Sequence, residues 1–380
     1  MTKANPGRML AVSALMLCAS AVSGATYVYV SNAEDGDIGS YTLKADGSLK
    51  PGARVEAGKL VMPLAVSPDR RFLFAAIRSK PFTALTYGID RQTGALSKLS
   101  SAPLAESYPY ITADRSGRFL LGASYGGHQV GVNAIGRDGR VSDPKQVIPT
   151  GRNAHSIITD RGNRFVFVPH LGTDQIFQFK FDARSGRLTS NTPAVVQMKA
   201  MTGPRHIIVA NDNRFVYLLN ELTATVTTLA LDAKTGLLTE VGTASALPAD
   251  TKLMPGAPRG AIGAPGGPPP RNTDNDIWAS DLHLTPNGKF LYAAERTSSS
   301  IGAFSVDTST GKLTYLASTP TEKQPRGFAI DPKGKHMVVS GEKSDTISVY
   351  AIDPASGALA LLQKYPTGKG SNWVAIVGFD

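Results

Sequence analysis

Asp307-Thr308-Ser309-Thr310-Gly311-Lys312-Leu313 decides the fold of this chain. An acidic residue ends one strand-like run, a small residue and glycine turn the backbone, and leucine opens the next run. The same pattern returns at Asp46-Gly47-Ser48-Leu49, at Asp90 with Thr93-Gly94-Ala95-Leu96, and at Asp138-Gly139-Arg140-Val141. It returns again at Asp182 with Ser185-Gly186-Arg187-Leu188, at Asp232 with Thr235-Gly236-Leu237-Leu238, and at Asp353 with Ser356-Gly357-Ala358-Leu359. The seven glycines are spaced by 47, 45, 47, 50, 75 and 46 residues. A period in the high forties with hairpin chemistry in every unit predicts an all-β, seven-bladed β-propeller.

A second marker accompanies the first. Tight turns rich in Pro, Asp, Asn and Gly precede short aromatic and β-branched runs, as in Ser67-Pro68-Asp69-Arg70-Arg71-Phe72-Leu73-Phe74 and Thr285-Pro286-Asn287-Gly288-Lys289-Phe290-Leu291-Tyr292. Each blade therefore reads as four antiparallel strands, with the first pair joined at this turn and the second at the glycine hairpin. Six such turns serve seven hairpins. The chain thus enters its first blade at the second strand, Thr26-Tyr27-Val28-Tyr29-Val30, and the C-terminal run Asn372-Trp373-Val374-Ala375-Ile376-Val377 supplies the missing innermost strand. That closure leaves no open sheet edge at the termini.

The rest of the chain divides simply. Residues 1–25 have the layout of a secretory signal peptide: Lys3 and Arg8, an apolar run from Met9 to Val22, then Ser23, Gly24 and Ala25. Cleavage near Gly24 or Ala25 is expected, with an exported, periplasmic or secreted product. The sole cysteine, Cys18, lies in this segment, so the mature chain needs no disulfide. Residues 26–380 form the propeller, and the 75-residue spacing places a Pro/Gly-rich insertion at about 249–276. Its composition predicts a flexible surface loop, or a lid, in a connection at one mouth.

The net charge of +10 is spread over the inter-strand turns without a basic run or interleaved aromatics, which argues against nucleic-acid binding. It suits an anionic small molecule attracted to a pore mouth. Stable membrane insertion, a metal and a cofactor are not expected: the apolar segment is too short to span, the six histidines lack metal-ligand spacing, and no phosphate-cradling loop precedes a helix.

Strand direction gathers the functional candidates. In an antiparallel blade the start of the innermost strand and the end of the second strand share one mouth. The starts supply Tyr108, Tyr110, His155, Arg205, His206, Asp281 and Arg326; the ends supply Arg78, Tyr125, His170, Asn220, Glu221, Glu295, Arg296 and Glu342. Converging Arg, His and Glu suit ester or lactone chemistry: arginines bind an anion or developing oxyanion, while His or Glu moves the proton of an attacking water. His128 and His336 fall outside this ring and read as incidental.

The strings Gly203-Pro204-Arg205-His206, Asn220-Glu221-Leu222, Glu295-Arg296-Thr297 and Gln324-Pro325-Arg326-Gly327-Phe328 make the chain resemble the propeller-type 6-phosphogluconolactonases of bacteria, relatives of the fungal carboxy-muconate lactonizing enzymes. The resemblance implies a lactone hydrolase acting on a sugar lactone. Catalytic residues would be His155, Glu221, Arg205 and Arg296, and substrate-binding residues Arg326, His206, Asn220, Tyr125 and Arg78. It leaves open whether His155 or Glu221 is the base, and whether the lactone is phosphorylated. A non-catalytic exported binding propeller and a muconate-type cycloisomerase are the alternatives.

Overall fold

The computed structural model describes residues 1–2, 24–259 and 269–379. Residues 3–23 of the expected signal peptide, with Cys18, and residues 260–268 of the insertion lie outside the described residues. Among the described residues all 28 regular elements are strands, arranged in seven four-stranded antiparallel sheets. The sheets form a ring in which each blade is ordered from its innermost strand outward.

Blade one joins the two ends of the chain. Ser371–Gly378 is its innermost strand and pairs antiparallel with Thr26–Asn32, which continues through Asp37–Leu43 to Leu49–Glu56. Register runs from Thr26 opposite Gly378 to Asn32 opposite Ser371. The remaining blades follow in chain order, beginning with Val61–Val66, Tyr110–Ala113, Ile158–Thr159, Pro204–Val209, Ala279–Leu284 and Pro325–Ile330.

Seven apolar clusters fill the seven spaces between neighbouring blades. The second strand of a blade supplies two of these spaces at once, so both of its faces are covered. Phe72–Ile77, Phe119–Ser124 and Phe290–Glu295 are buried at every position, which is why they read as unbroken apolar runs. Outer strands such as Leu49–Glu56 bury only their first residue.

The hairpin glycines have a second duty beyond turning the chain. Each has φ between +71° and +84°, and each packs on the residue that opens the second strand of the preceding blade. A Cβ on Gly94 would lie 2.3 Å from the Tyr27 ring, and one on Gly236 would lie 2.1 Å from Phe165. Gly139, Gly186, Gly311 and Gly357 meet Phe72, Phe119, Phe215 and Phe290 in the same way. Gly47 meets His336 and Leu362. His336 is therefore not incidental: it is the seventh member of the series and closes the ring between blades seven and one.

The insertion is more ordered than its composition predicts where it meets the ring. Met254 bridges Asp276, Gly256 N–H donates to Leu222 O at 2.8 Å, and Arg271 pairs with Asp276. Backbone hydrogen bonds to blade five supply the order that apolar burial alone would not.

Candidate active site

Backbone irregularities aim the key side chains. At the start of blade five, Pro204 and His206 face the consecutive partners Asn220 and Leu219, so Arg205 is an extra residue bulged out of the ladder. Blade seven repeats the device, with Pro325 and Gly327 facing Gly341 and Ser340 and Arg326 between them. A bulge breaks the in–out alternation of a strand and re-aims one side chain. In both blades proline precedes the arginine, and Pro204 and Pro325 each sit at the first position of their strand, where a missing N–H is tolerated.

Arg326 reaches a cavity of about 480 Å³ at one mouth. Six of the expected residues line it: His155, Glu221, Arg296, Arg326, Tyr125 and Arg78. Arg205, His206 and Asn220 do not. Arg205 lies beneath Glu221 with its Nε 2.6 Å from Oε2, and its side chain is 1% exposed. His206 turns towards the axis and bonds Asp281. Asn220 sends its amide along the blade to Thr225 and Thr227, while the next residue, Glu221, lines the cavity. Arg205 and His206 are thus neighbours of the site rather than ligands, and Asn220 is a blade-internal polar residue.

The other mouth candidates separate similarly. Tyr108 packs inside blade three over Gly122 and Gly131. Tyr110 lines a cavity at the opposite face with Trp373 and His283. His170 lies 4.3 Å from Phe177 with its ring tilted, and its Nδ1–H donates to Val168 O. Glu295 accepts from the Trp278 and Ser298 amides, so it braces the loop rather than facing the cavity.

Glu221 is the electrostatic centre. Its Oε2 contacts Arg205 and also Arg296 Nη2, at 3.2 Å, while Trp278 Nε1–H donates to Oε1 at 2.8 Å. Burial pushes its carboxyl up, but Arg296 and Arg205, with Arg259 and Arg326 behind them, outweigh burial and hold it below the usual glutamate value. Arg296 is itself fixed by donating from Nε to Trp278 O at 2.9 Å and from Nη2 to Ala279 O at 3.1 Å.

His155 has the opposite balance. Burial first, then Arg205, His206, Arg326 and Arg296, push the imidazole well below its ordinary value, so it is neutral at pH 7. Its backbone N–H donates to Pro169 O at 3.0 Å, and its ring meets Tyr125 edge-on at 5.7 Å. Nδ1 is sealed from solvent, which leaves Nε2 as the nitrogen on the cavity side.

Charge at the cavity is only partly compensated. Arg326 pairs with Glu342 at 3.5 Å and Arg296 with Glu221. Arg78 has no carboxylate within salt-bridge distance; its Nε donates to Ser107 Oγ at 3.0 Å. Burial, then Arg326 and Arg259, push its value down to about 10, so it remains a cation. Arg259, from the insertion, lies 4.4 Å over the Trp278 ring, while Arg296 lies 3.8 Å from the same ring. Arg259 and Trp278 were not legible as site residues: neither belongs to the repeat, and a Pro/Gly-rich segment has no periodicity to place them. Among the described residues no group of three or more His, Cys, Asp or Glu is arranged to hold a metal ion, and no helix is long and apolar enough to cross a membrane.

Comparison with known proteins agrees with this architecture. The family model described as lactonase, 7-bladed beta-propeller, matches residues 25–376. The 6-phosphogluconolactonase of Pectobacterium carotovorum subsp. carotovorum is 36% identical over 304 residues, covering 80% of this chain and 84% of the relative. That of Serratia proteamaculans is 37% identical over the same length and coverage. Among solved structures, the periplasmic gluconolactonase of Pseudomonas aeruginosa superposes with a TM-score of 0.81 at 26% identity, over 93% of this chain and 99% of that one. The chain belongs to the seven-bladed β-propeller lactonase family.

Proposed function

We propose that the protein hydrolyses the ring ester of a sugar lactone, and that a phosphorylated aldonolactone of the 6-phosphogluconolactone type is its preferred substrate. The observation that carries this reading is the pair of cations at the cavity, Arg78 and Arg259, that form no ion pair with a carboxylate among the described residues. A bound dianion satisfies both at once, in a site where planar guanidinium donors match phosphate oxygens.

The roles follow from protonation. Neutral His155 presents Nε2 to the cavity and takes a proton from water as the water oxygen bonds the lactone carbonyl carbon. Arg296 and Arg326 stabilise the oxyanion that develops on the carbonyl oxygen; one such donor contributes about 3–4 kcal/mol. The imidazolium then returns its proton to the ring oxygen as the C–O bond breaks, giving the hydroxy acid. Glu221 stays ionised and holds Arg296 and Arg205 in place. A carboxylate ion-paired to two arginines and hydrogen-bonded by Trp278 is a weak base, which favours His155 for that part.

The amino-terminal residues support a second substrate. A signal-peptide layout favours export, and the Pseudomonas neighbour is named a periplasmic gluconolactonase, which supports unphosphorylated gluconolactone as that second substrate. A pH-stat assay of the mature chain with both lactones decides between them, and fractionation of cells making the full chain tests export. Hydrolysis no faster than buffer with either lactone, or a His155→Gln variant as fast as the parent, sinks the assignment.

A further inference from the structure

Among the described residues several buried nitrogens beside the cavity lack a hydrogen-bond partner, Arg205 Nε and Nη1 included, and two of them belong to adjacent rings. His155 Nδ1 is one and His206 Nε2 is the other. The ring centroids are 5.2 Å apart with an interplanar angle of 63°. Each left alone costs about 1–3 kcal/mol. Together they are complementary if one carries a proton and the other a lone pair.

The neighbours of His206 decide which is which. Its Nδ1 lies 2.9 Å from Asp281 Oδ1. Asp281 also receives the Leu282 amide at 3.0 Å, the Phe328 amide at 3.3 Å and His283 Nε2 at 3.1 Å. Burial pushes the Asp281 carboxyl up, but His283 and His206 and their hydrogen bonds outweigh it and hold it well below the usual range. An ionised carboxylate only accepts, so His206 Nδ1 carries the hydrogen. Burial, then Arg205, push His206 down to about 4 against the pull of Asp281, so the ring is neutral and Nε2 is bare. A bare Nε2 requires a donor, and of the unpartnered donors beside it, His155 Nδ1 and Arg205 Nη1, the first also satisfies the second orphan ring nitrogen, directly or across one bridging water. A proton on His155 Nδ1 leaves Nε2 bare on the cavity side, as a general base needs.

We propose that His206 and Asp281 are positioning residues of a His155–His206–Asp281 relay that spans blades four, five and six and fixes His155 in its Nδ1–H tautomer. The relay rests on the proposed role of His155 as base. It explains why two histidines and an aspartate, none of them exposed above 10% at the side chain where the pairing is made, converge at the axis. The charged and titratable groups facing it are Arg205 on the strand of His206, Asp281, His283 and Arg296 from blade six, Arg326 from blade seven, and Tyr110 from blade three, 5.1 Å from the His206 ring.

Histidine-selective ¹⁵N NMR of the full mature chain tests the tautomer without reference to activity. The signal missing from His155→Gln identifies His155, and it is expected as Nδ1–H in the parent at pH 7. In Asp281→Asn and His206→Gln the Nδ1–H preference is lost, and kcat falls on the order of 10²-fold while KM stays within about twofold. An Nε2–H tautomer in the parent overturns the relay whether or not a variant folds. So does Asp281→Asn with parental kcat. If no lactone is turned over at all, the substrate reading fails while the tautomer measurement still decides the relay.

Discussion

Replacing Glu221 by glutamine isolates the electrostatics of the site, because the shape is kept and one negative charge is removed. That charge lies between Arg205 and Arg296, both about 1% exposed, which would be left facing one another with no counter-ion in contact. Breaking a buried pair by removing one partner costs about 3–5 kcal/mol. The amide oxygen still accepts from Trp278 Nε1, so the lower end, about 3 kcal/mol, is expected. That is a fifth or more of the stability of an ordinary domain, about 5–15 kcal/mol. Urea unfolding followed by tryptophan fluorescence reads it directly, since one of the two tryptophans, Trp278, touches the pair. The pH dependence adds a sign. Glu221 is held below its unfolded value of 4.5, so its contribution is complete above pH 4.5 and is lost as pH falls through the lower folded value. The gap between parent and Glu221→Gln should be full at pH 7 and narrow below pH 4.5. A variant as stable as the parent at pH 7, or a gap that stays flat to pH 3, refutes the reasoning.

Three further outcomes are expected. Arg78→Gln should raise KM for the phosphorylated lactone about 10–100-fold, the worth of one charge-assisted hydrogen bond, while KM for gluconolactone changes less than about threefold; equal effects on both would remove Arg78 from anion recognition. The acid limb of kcat/KM should fall below pH 6.5, because His155 must be neutral to act and its surroundings hold its value down; a limb at 6.5 or above contradicts that assignment. Gly236→Ala should destabilise by about 2–4 kcal/mol, combining overpacking against Phe165 with an unfavourable φ of +72°, and Phe165→Leu should recover part of the loss; a neutral Gly236→Ala would disprove the inter-blade role of the hairpin glycines.

The blades were legible because their two sequence markers are the two halves of one contact. The hairpin glycine of each blade receives the ring that opens the second strand of the blade before it, so both must recur with the same period. His336 escaped that logic because it stands where the other blades carry Phe or Tyr. Set beside Phe72, Phe119 and Phe290 it falls into line. The site was legible to the level of which mouth each residue approaches, and no further. Strand counting brought Arg205, His206, Asn220 and Glu221 to the same rim, yet only Glu221 lines the cavity.

What separates those four residues is local backbone geometry, and that geometry has a trace in the chain. Pro204-Arg205 and Pro325-Arg326 both open an innermost strand, and in both the arginine is the residue squeezed out of the ladder. A regular strand would have alternated these positions between the two adjacent blade interfaces, where a guanidinium has no place. The bulge instead directs Arg326 to the cavity and Arg205 to the carboxylate beneath it. After the bulge, alternation resumes: His206 faces the axis, where Asp281 of the next blade accepts a hydrogen bond from its Nδ1–H. Blade six carries its own irregularity between Ala279 and Leu282, and that is what frees Asp281 to reach sideways to His206. The propeller thus supplies a rigid ring of strand ends, and the bulges, more than the repeat itself, turn residues that share a rim into residues that share a site.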